Sequence, residues 1–223
     1  MPSSLKLIIG NKNYSSWSLR PWLVLRHFGI SFSEEKVLLD TPDTRARLLE
    51  FSGSAKVPVL VDRDIKVWDS IAIIEHLAER FPECAIWPVS VAARAEARSV
   101  SAEMHSGFVA LRTEMPLNCR ARGRKVQVTE SLRSDVARVI ELWSDLRTRF
   151  AAGGPWLFGE FSAADAMYAP VALRFVTYGV EIENPAQSFL RAVLGSPDIQ
   201  EWLSAAREEP EIMPSGEVGS VCA

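Results

Sequence analysis

At "PECAIWPVSV" (Pro82–Val91) the periodicity of this 223-residue chain changes for good. Before it, short apolar runs of strand character alternate with stretches whose apolar residues recur every three or four positions. From Ala92 onward no strand-like alternation of any length is found, and only the helical spacing remains. A sheet built from the first part must be covered by its own helices, and the second part must pack helix on helix. The division predicts an α/β unit over residues 1–82, a linker over 83–91 and an all-helical unit over 92–223. The Pro/Gly-rich tail from about residue 209 is expected to be mobile.

Within the first unit the order of elements reads β-α-β-α-β-β-α. "LKLII" (Leu5–Ile9) is a buried strand, and a helix follows from about Trp17 to Phe28, with Gly29 as its C-terminal stop. "SFSEEKVLL" (Ser31–Leu39) reads as a second strand. In "TPDTRARLLEF", Thr41 as N-cap and Pro42 at the first helical position predict a short helix. Val59–Val61 and Ile65–Trp68 form a hairpin through Asp62-Arg63-Asp64. "SIAIIEHLAERFP" closes the unit with an apolar face of Ile71, Ile74, Leu77 and Phe81. In the second unit a long helix over "AARAEARSVSAEMHSGFVALRTEM" is broken near Pro116. The next carries Val136, Val139, Ile140, Trp143, Leu146 and Phe150 on one stripe, and three more helices follow.

Bulk properties exclude several functions. Twenty-five basic and 28 acidic residues leave a net charge of −3, no basis for gripping nucleic acid or an anionic membrane. No apolar run reaches the ~18 residues of a spanning helix, and the amino-terminal apolar block is too short for a signal peptide. Three widely spaced cysteines (Cys84, Cys119, Cys222) without a CxxC fit a reducing, cytoplasmic setting. They argue against a disulfide framework, a metal site or a dithiol catalyst.

Several short motifs carry both a structural and a chemical reading. "NYSSWSLRPW" (Asn13–Trp22) sets Ser15, Ser16 and Ser18 at a strand-to-helix corner that needs only one capping hydroxyl. A second hydroxyl there could donate to an anion, and the helix dipole would favour a thiolate. In "KVPVL" (Lys56–Leu60), Pro58 precedes a strand with apolar neighbours. It is either an ordinary trans-proline or a cis-proline that frees the Val57 backbone for an extended peptide. Asp69 and Ser70 begin a helix, where they can cap it or hold a carboxylate and an ammonium. Ser162 and Asp165 form a capping box with a folding role. His105 sits mid-helix beside Ser106 and Gly107, a small residue that suggests close approach. No serine-hydrolase motif is present, and "CRARGRKV" (Cys119–Val126) reads as a solvated basic loop.

Taken together and in this order, "SSWSLRPWLVL", "KVPVL", "WDSIAIIEHL", the linker prolines and "FSAADAMYAP" resemble the cytosolic glutathione S-transferase family, over nearly the whole chain. The nearest motifs are those of the zeta and beta classes. The resemblance implies a thioredoxin-like first domain, an all-α second domain and a homodimer. It implies glutathione as co-substrate, no metal and no nucleic-acid or membrane partner. By the same resemblance, Val57 ahead of a cis-Pro58 pairs with the cysteinyl backbone, Asp69 and Ser70 hold the γ-glutamyl end, and Lys56 lies near the glycyl carboxylate. Ser15 matches the first serine of the zeta "SSC" motif and is favoured as the hydroxyl donor to the sulfur, with Ser16 the runner-up.

Trp17 stands where the zeta and beta classes carry cysteine, so their cysteine chemistry does not carry over. "EMHSGF" is similar to the beta-class "ELHKGF", which brings His105 toward the sulfur. His105, Phe108, Arg112, Trp17 and Arg174 are the candidates for the electrophile pocket, with Tyr168 or Phe175 beside them. The activity so implied is conjugation of the glutathione thiolate to small hydrophobic electrophiles. A maleylacetoacetate- or maleylpyruvate-type isomerase is the alternative. The zeta arginine aligns with Thr177, and Arg174 lies three residues earlier. A non-catalytic glutathione-binding or scaffold protein, and a disulfide reductase, remain as further alternatives.

Overall fold

The computed structural model describes residues 5–221; Cys222 lies outside them. Strand β1 (Leu5–Ile9) is the buried spine of a four-stranded sheet. Helix α1 (Ser16–His27) follows, ending where Gly29 takes a φ of +63° that a side chain would resist. Strand β2 (Ser33–Lys36) pairs parallel to β1, and β3 (Val59–Asp62) pairs antiparallel on its other side. Strand β4 (Ile65–Trp68) completes the order β2-β1-β3-β4. Between them, α2 (Thr44–Leu49) begins two residues later than the Thr41–Pro42 pair predicts. The Thr41 amide instead donates to Thr44 Oγ1, closing a turn ahead of the helix. Helix α3 (Ser70–Arg80) buries Ile73, Ile74 and Leu77 against the sheet.

The helical unit starts with α4 (Val91–Ser106) and α5 (Val109–Glu114). The break falls at Gly107–Phe108, not at Pro116, because Phe108 takes a left-handed φ of 53°. A Cβ on Gly107 would stand 2.7 Å from the Glu103 carbonyl, so the small residue serves its own helix end. A two-residue strand, β5 (Arg124–Lys125), precedes α6 (Glu130–Phe150), whose expected apolar stripe is buried or half-buried. Helix α7 (Ala163–Tyr178) is buried almost all round and forms the axis of the domain. Its capping box is present, and the Asp165 carboxylate also accepts from the Leu157 amide at 2.8 Å. Helix α8 (Ala186–Gly195) packs on it, and α9 (Pro197–Glu208) packs on α8 and α1.

The chain after Glu208, expected to be mobile, makes bonds to distant parts of the fold. Buried Glu209 accepts from the Lys12 and Asn13 amides at 2.9 and 3.0 Å, tying the tail to the loop that enters α1. Glu217 accepts from the Tyr14 hydroxyl at 2.6 Å and from Asn118 at 2.9 Å, and pairs with Arg124. Strand β6 (Ser220–Val221) then pairs with β5, a small second sheet in a region read as wholly helical. Two-residue strands leave too short a pattern for alternation to register.

One apolar core runs through both domains, from Leu7, Trp22 and Ile74 to Trp143, Phe175 and Trp202. Its continuity across α1, α7 and α9 fixes the two domains against each other, and with them the cleft between α3 and α4–α5.

Candidate functional site

A cavity of about 650 Å³ opens between the domains. That volume suits a small-molecule ligand, whose sites run roughly 300–1,000 Å³. Its walls are the α1 corner, the turn before β3, the start of α3, and the α4–α5 junction.

The turn before β3 supplies Lys56, Val57 and Pro58. The Val57–Pro58 peptide bond is cis. Among the described residues, neither the N–H nor the C=O of Val57 has a hydrogen-bond partner. Exposed Lys56 donates its amide to Ser54 Oγ, and its ammonium has no carboxylate within 4.0 Å among the described residues.

At the start of α3, Asp69 holds a φ of 77°, uncommon for a non-glycine residue. Its Oδ1 caps the helix by accepting from the Ile71 amide at 3.0 Å. Its Oδ2 lies 3.2 Å from His105 Nε2, linking the two domains across the cavity wall. Ser70 is 1% exposed, and its Oγ is buried without a partner. His105 Nδ1 is likewise buried and unpaired. Native interiors rarely leave such groups unsatisfied, so two of them on one cavity wall mark a place for a polar ligand.

The α1 corner is arranged differently from its reading. Ser15 is the N-cap: its Oγ accepts from the Ser18 amide at 3.4 Å and lies 2.7 Å from Ser18 Oγ, which itself accepts from the Gly10 amide. Ser16 Oγ accepts from Arg174 Nη2 at 3.3 Å. Both serines are under 10% exposed and neither lines the cavity. The residue that does is Trp17, edge-on to His105 with ring centres 5.3 Å apart.

Three guanidinium groups surround this corner. Arg112 lines the cavity 5.5 Å from the Trp17 ring centre, its Nε donating to the Gly107 carbonyl. Arg20 is wholly buried, 4.1 Å from the same ring, with Nε on the Met167 carbonyl and Nη1 unpaired. Arg174 is buried on the Met115 and Pro170 carbonyls. Burial, followed by neighbouring positive charge, pulls the Arg20 guanidinium down to about 9 and that of Arg174 to about 10.

The wall therefore brings together Lys56, Val57, Pro58, Asp69, Ser70, Trp17, His105 and Arg112 of the residues singled out in sequence. Phe108 and Arg174, expected in the electrophile pocket, lie behind it: Phe108 is core, and Arg174 reaches Ser16 from beneath. Tyr168 and Phe175 are core as well, and buried Thr177 donates to the Asn118 carbonyl. Ser54, Trp68 and Arg20 were not anticipated. Arg20 had a signal, since it follows Ser16 by four positions and so shares its helix face amid apolar neighbours.

Comparison with known proteins decides the family. The family model described as glutathione S-transferase, N-terminal domain, matches residues 14–80, and the C-terminal domain model matches residues 93–205. This chain belongs to the glutathione S-transferase family. It is 26% identical over 192 residues to the stringent starvation protein A homolog of Haemophilus ducreyi, covering 86% of this chain and 84% of that protein. It is 32% identical over 93 residues to a probable maleylacetoacetate isomerase of Caenorhabditis elegans, 42% of each chain. The crystal structure of a glutathione transferase homolog from Burkholderia gl BGR1, with bound glutathione, superposes with a TM-score of 0.72 at 22% identity. That superposition covers 92% of this chain and 99% of the other. The thioredoxin-like first domain and helical second domain are thus those of the glutathione transferase architecture. Among the described residues, no helix is long and apolar enough to cross a membrane, and no cluster of His, Cys, Asp and Glu could hold a metal ion.

Proposed function

We propose that this chain binds glutathione along the first-domain wall of the cavity and passes its thiolate to a small electrophile entering from the helical-domain side. The observation that carries the reading is the set of unpaired polar groups on that wall: the Val57 backbone and Ser70 Oγ. An extended cysteinyl unit would satisfy the Val57 N–H and C=O as an added strand does. The γ-glutamyl carboxylate would take the Ser70 hydroxyl and amide at the positive end of α3, with Asp69 facing the ammonium. Lys56 would meet the glycyl carboxylate.

A free thiol ionises with a pKa near 8.5, so catalysis at neutral pH needs the thiolate favoured. The first turn of α1 and the guanidinium groups around it supply positive potential for that. Of the two serines we assign the donor role to Ser16. Its oxygen accepts from Arg174 while its hydrogen is uncommitted, whereas Ser15 is engaged as the helix cap. The thiolate attacks the electrophilic carbon, and the leaving group departs as an anion. Trp17, His105 and Arg112 wall the electrophile. The same reading implies a cytoplasmic homodimer acting in detoxification, and Ile65 and Trp68, over half exposed along edge strand β4, offer it an apolar surface.

A non-catalytic binding role is the second reading. It is favoured by the absence of both serine hydroxyls from the cavity lining. The likeness to the isomerase covers less than half the chain and weighs less. Titration calorimetry with glutathione, followed by turnover of 1-chloro-2,4-dinitrobenzene by wild type and Ser16→Ala, separates these. Heat of binding with turnover that falls at least tenfold in the variant is the expected result. Binding without turnover supports the scaffold role, and no binding refutes both readings.

A further inference from the structure

Many arginines of this protein sit on a carboxylate, while others, such as Arg94, Arg120 and Arg147, bond only neutral oxygens singly and apart from one another. Arg26, Arg98, Arg124, Arg138 and Arg149 each pair with a carboxylate within 4.0 Å. Arg20, Arg112 and Arg174 have no carboxylate partner among the described residues, although they stand together around Trp17 and Ser16. Their bonds go to neutral oxygens, and Arg20 Nη1 has no partner at all. The one acid on the wall, Asp69, acts on Arg20 from a distance and makes its short contact with His105 instead. Burying three like charges together with only one distant acid to offset them is costly, and an arriving anion relieves that cost.

We propose that the second substrate of this cavity carries a carboxylate, received by the Nη1 and Nη2 groups of Arg112. The proposal rests on the reading that glutathione occupies the Val57–Ser70 wall. Arg112 is the one member of the trio that faces the cavity. Its Nε bond to the Gly107 carbonyl at 3.0 Å fixes the guanidinium plane, while its two terminal nitrogens have no partner among the described residues. That is the fork a carboxylate accepts in bidentate fashion. Arg20 and Arg174 lie behind the wall and add positive potential in a water-poor setting, where it is screened least. Trp17 beside Arg112 gives the apolar body of the same ligand a surface. The expected class is a small unsaturated or aromatic acid with an electrophilic carbon, in contrast to a neutral hydrophobic electrophile.

The test uses two glutathione conjugates that differ only in this charge: S-(4-carboxy-2,6-dinitrophenyl)glutathione and its methyl ester, titrated by calorimetry. S-methylglutathione serves as the reference for the glutathione wall. Wild type is expected to bind the acid at least tenfold more tightly than the ester. Arg112→Gln should collapse that ratio toward one, and Arg112→Lys should keep part of it. Because the readout is a ratio within each variant, a general loss of affinity or of folded protein cancels. Equal affinities for acid and ester in wild type, or a ratio unchanged in Arg112→Gln, overturn the proposal while S-methylglutathione still binds. Failure of S-methylglutathione to bind overturns the glutathione reading instead, and failure of all three ligands overturns both.

Discussion

Replacing Ser70 with alanine should separate binding from stability. The Ser70 hydroxyl is buried and has no partner in the free protein, so its removal breaks no hydrogen bond. Deleting a desolvated, unsatisfied group leaves stability unchanged or raises it by up to about 1 kcal/mol. For a chain of this size that is a shift in Tm between zero and roughly +4 °C. With glutathione bound, the same hydroxyl would donate to a carboxylate, a charge-assisted bond of about 1.5–3 kcal/mol. At 1.4 kcal/mol per decade, the Kd for glutathione should rise roughly 10- to 150-fold in Ser70→Ala.

Calorimetry on wild type and variant, paired with thermal melts, measures both quantities. Cysteinylglycine, which lacks the γ-glutamyl carboxylate, supplies the control: it should bind weakly and with the same Kd to both proteins. A change in the glutathione Kd below threefold would sink the argument, and so would a Tm loss above about 4 °C. The first would mean the hydroxyl meets no ligand carboxylate, the second that it has a structural role in the free protein.

Three further perturbations test other links. Ser15→Ala removes the N-cap of α1 and should lower stability by about 1 kcal/mol, read as a small drop in Tm. Asp165→Ala strands the Leu157 and Ser162 amides and the Ser162 hydroxyl in the core, and a loss of about 3 kcal/mol or more is expected in denaturant unfolding. Burial opposes ionisation of Glu217, but bonds from Tyr14, Asn118 and Arg124 outweigh it and hold its carboxyl below the usual 4.5. A carboxyl lowered on folding stabilises fully above its unfolded pKa and loses that effect as pH falls through the folded one. Limited proteolysis should therefore find the tail protected at pH 7 and increasingly cleavable as pH falls below 4.5, through the lowered value of the folded state. Glu217→Gln should be cleaved at both, and a tail equally resistant in the variant would contradict the assignment.

What the amino-acid order determined by itself was local. The Ser162–Asp165 box, the glycine stop after α1, the apolar stripe of α6 and the change of periodicity at Pro82–Val91 all follow from neighbours within a few positions. The wall formed by Val57, Pro58, Asp69 and Ser70 was legible for the same reason, since a turn and a helix start carry their own residue types. The tertiary structure alone decided which serine caps, which residues face the cavity and where the positive charge gathers. Arg20, Arg112 and Arg174 are separated by 92 and 62 positions in sequence, and only the packing of α1 on α7 with α5 nearby brings them to one place. The bonds of the tail were out of reach likewise, because the partners of Glu209 and Glu217 lie some 90 or more positions away. Composition can report that a segment is polar and rich in proline, but a buried carboxylate is stabilised by whichever donors the fold delivers to it, and those donors have no signature in its own neighbourhood.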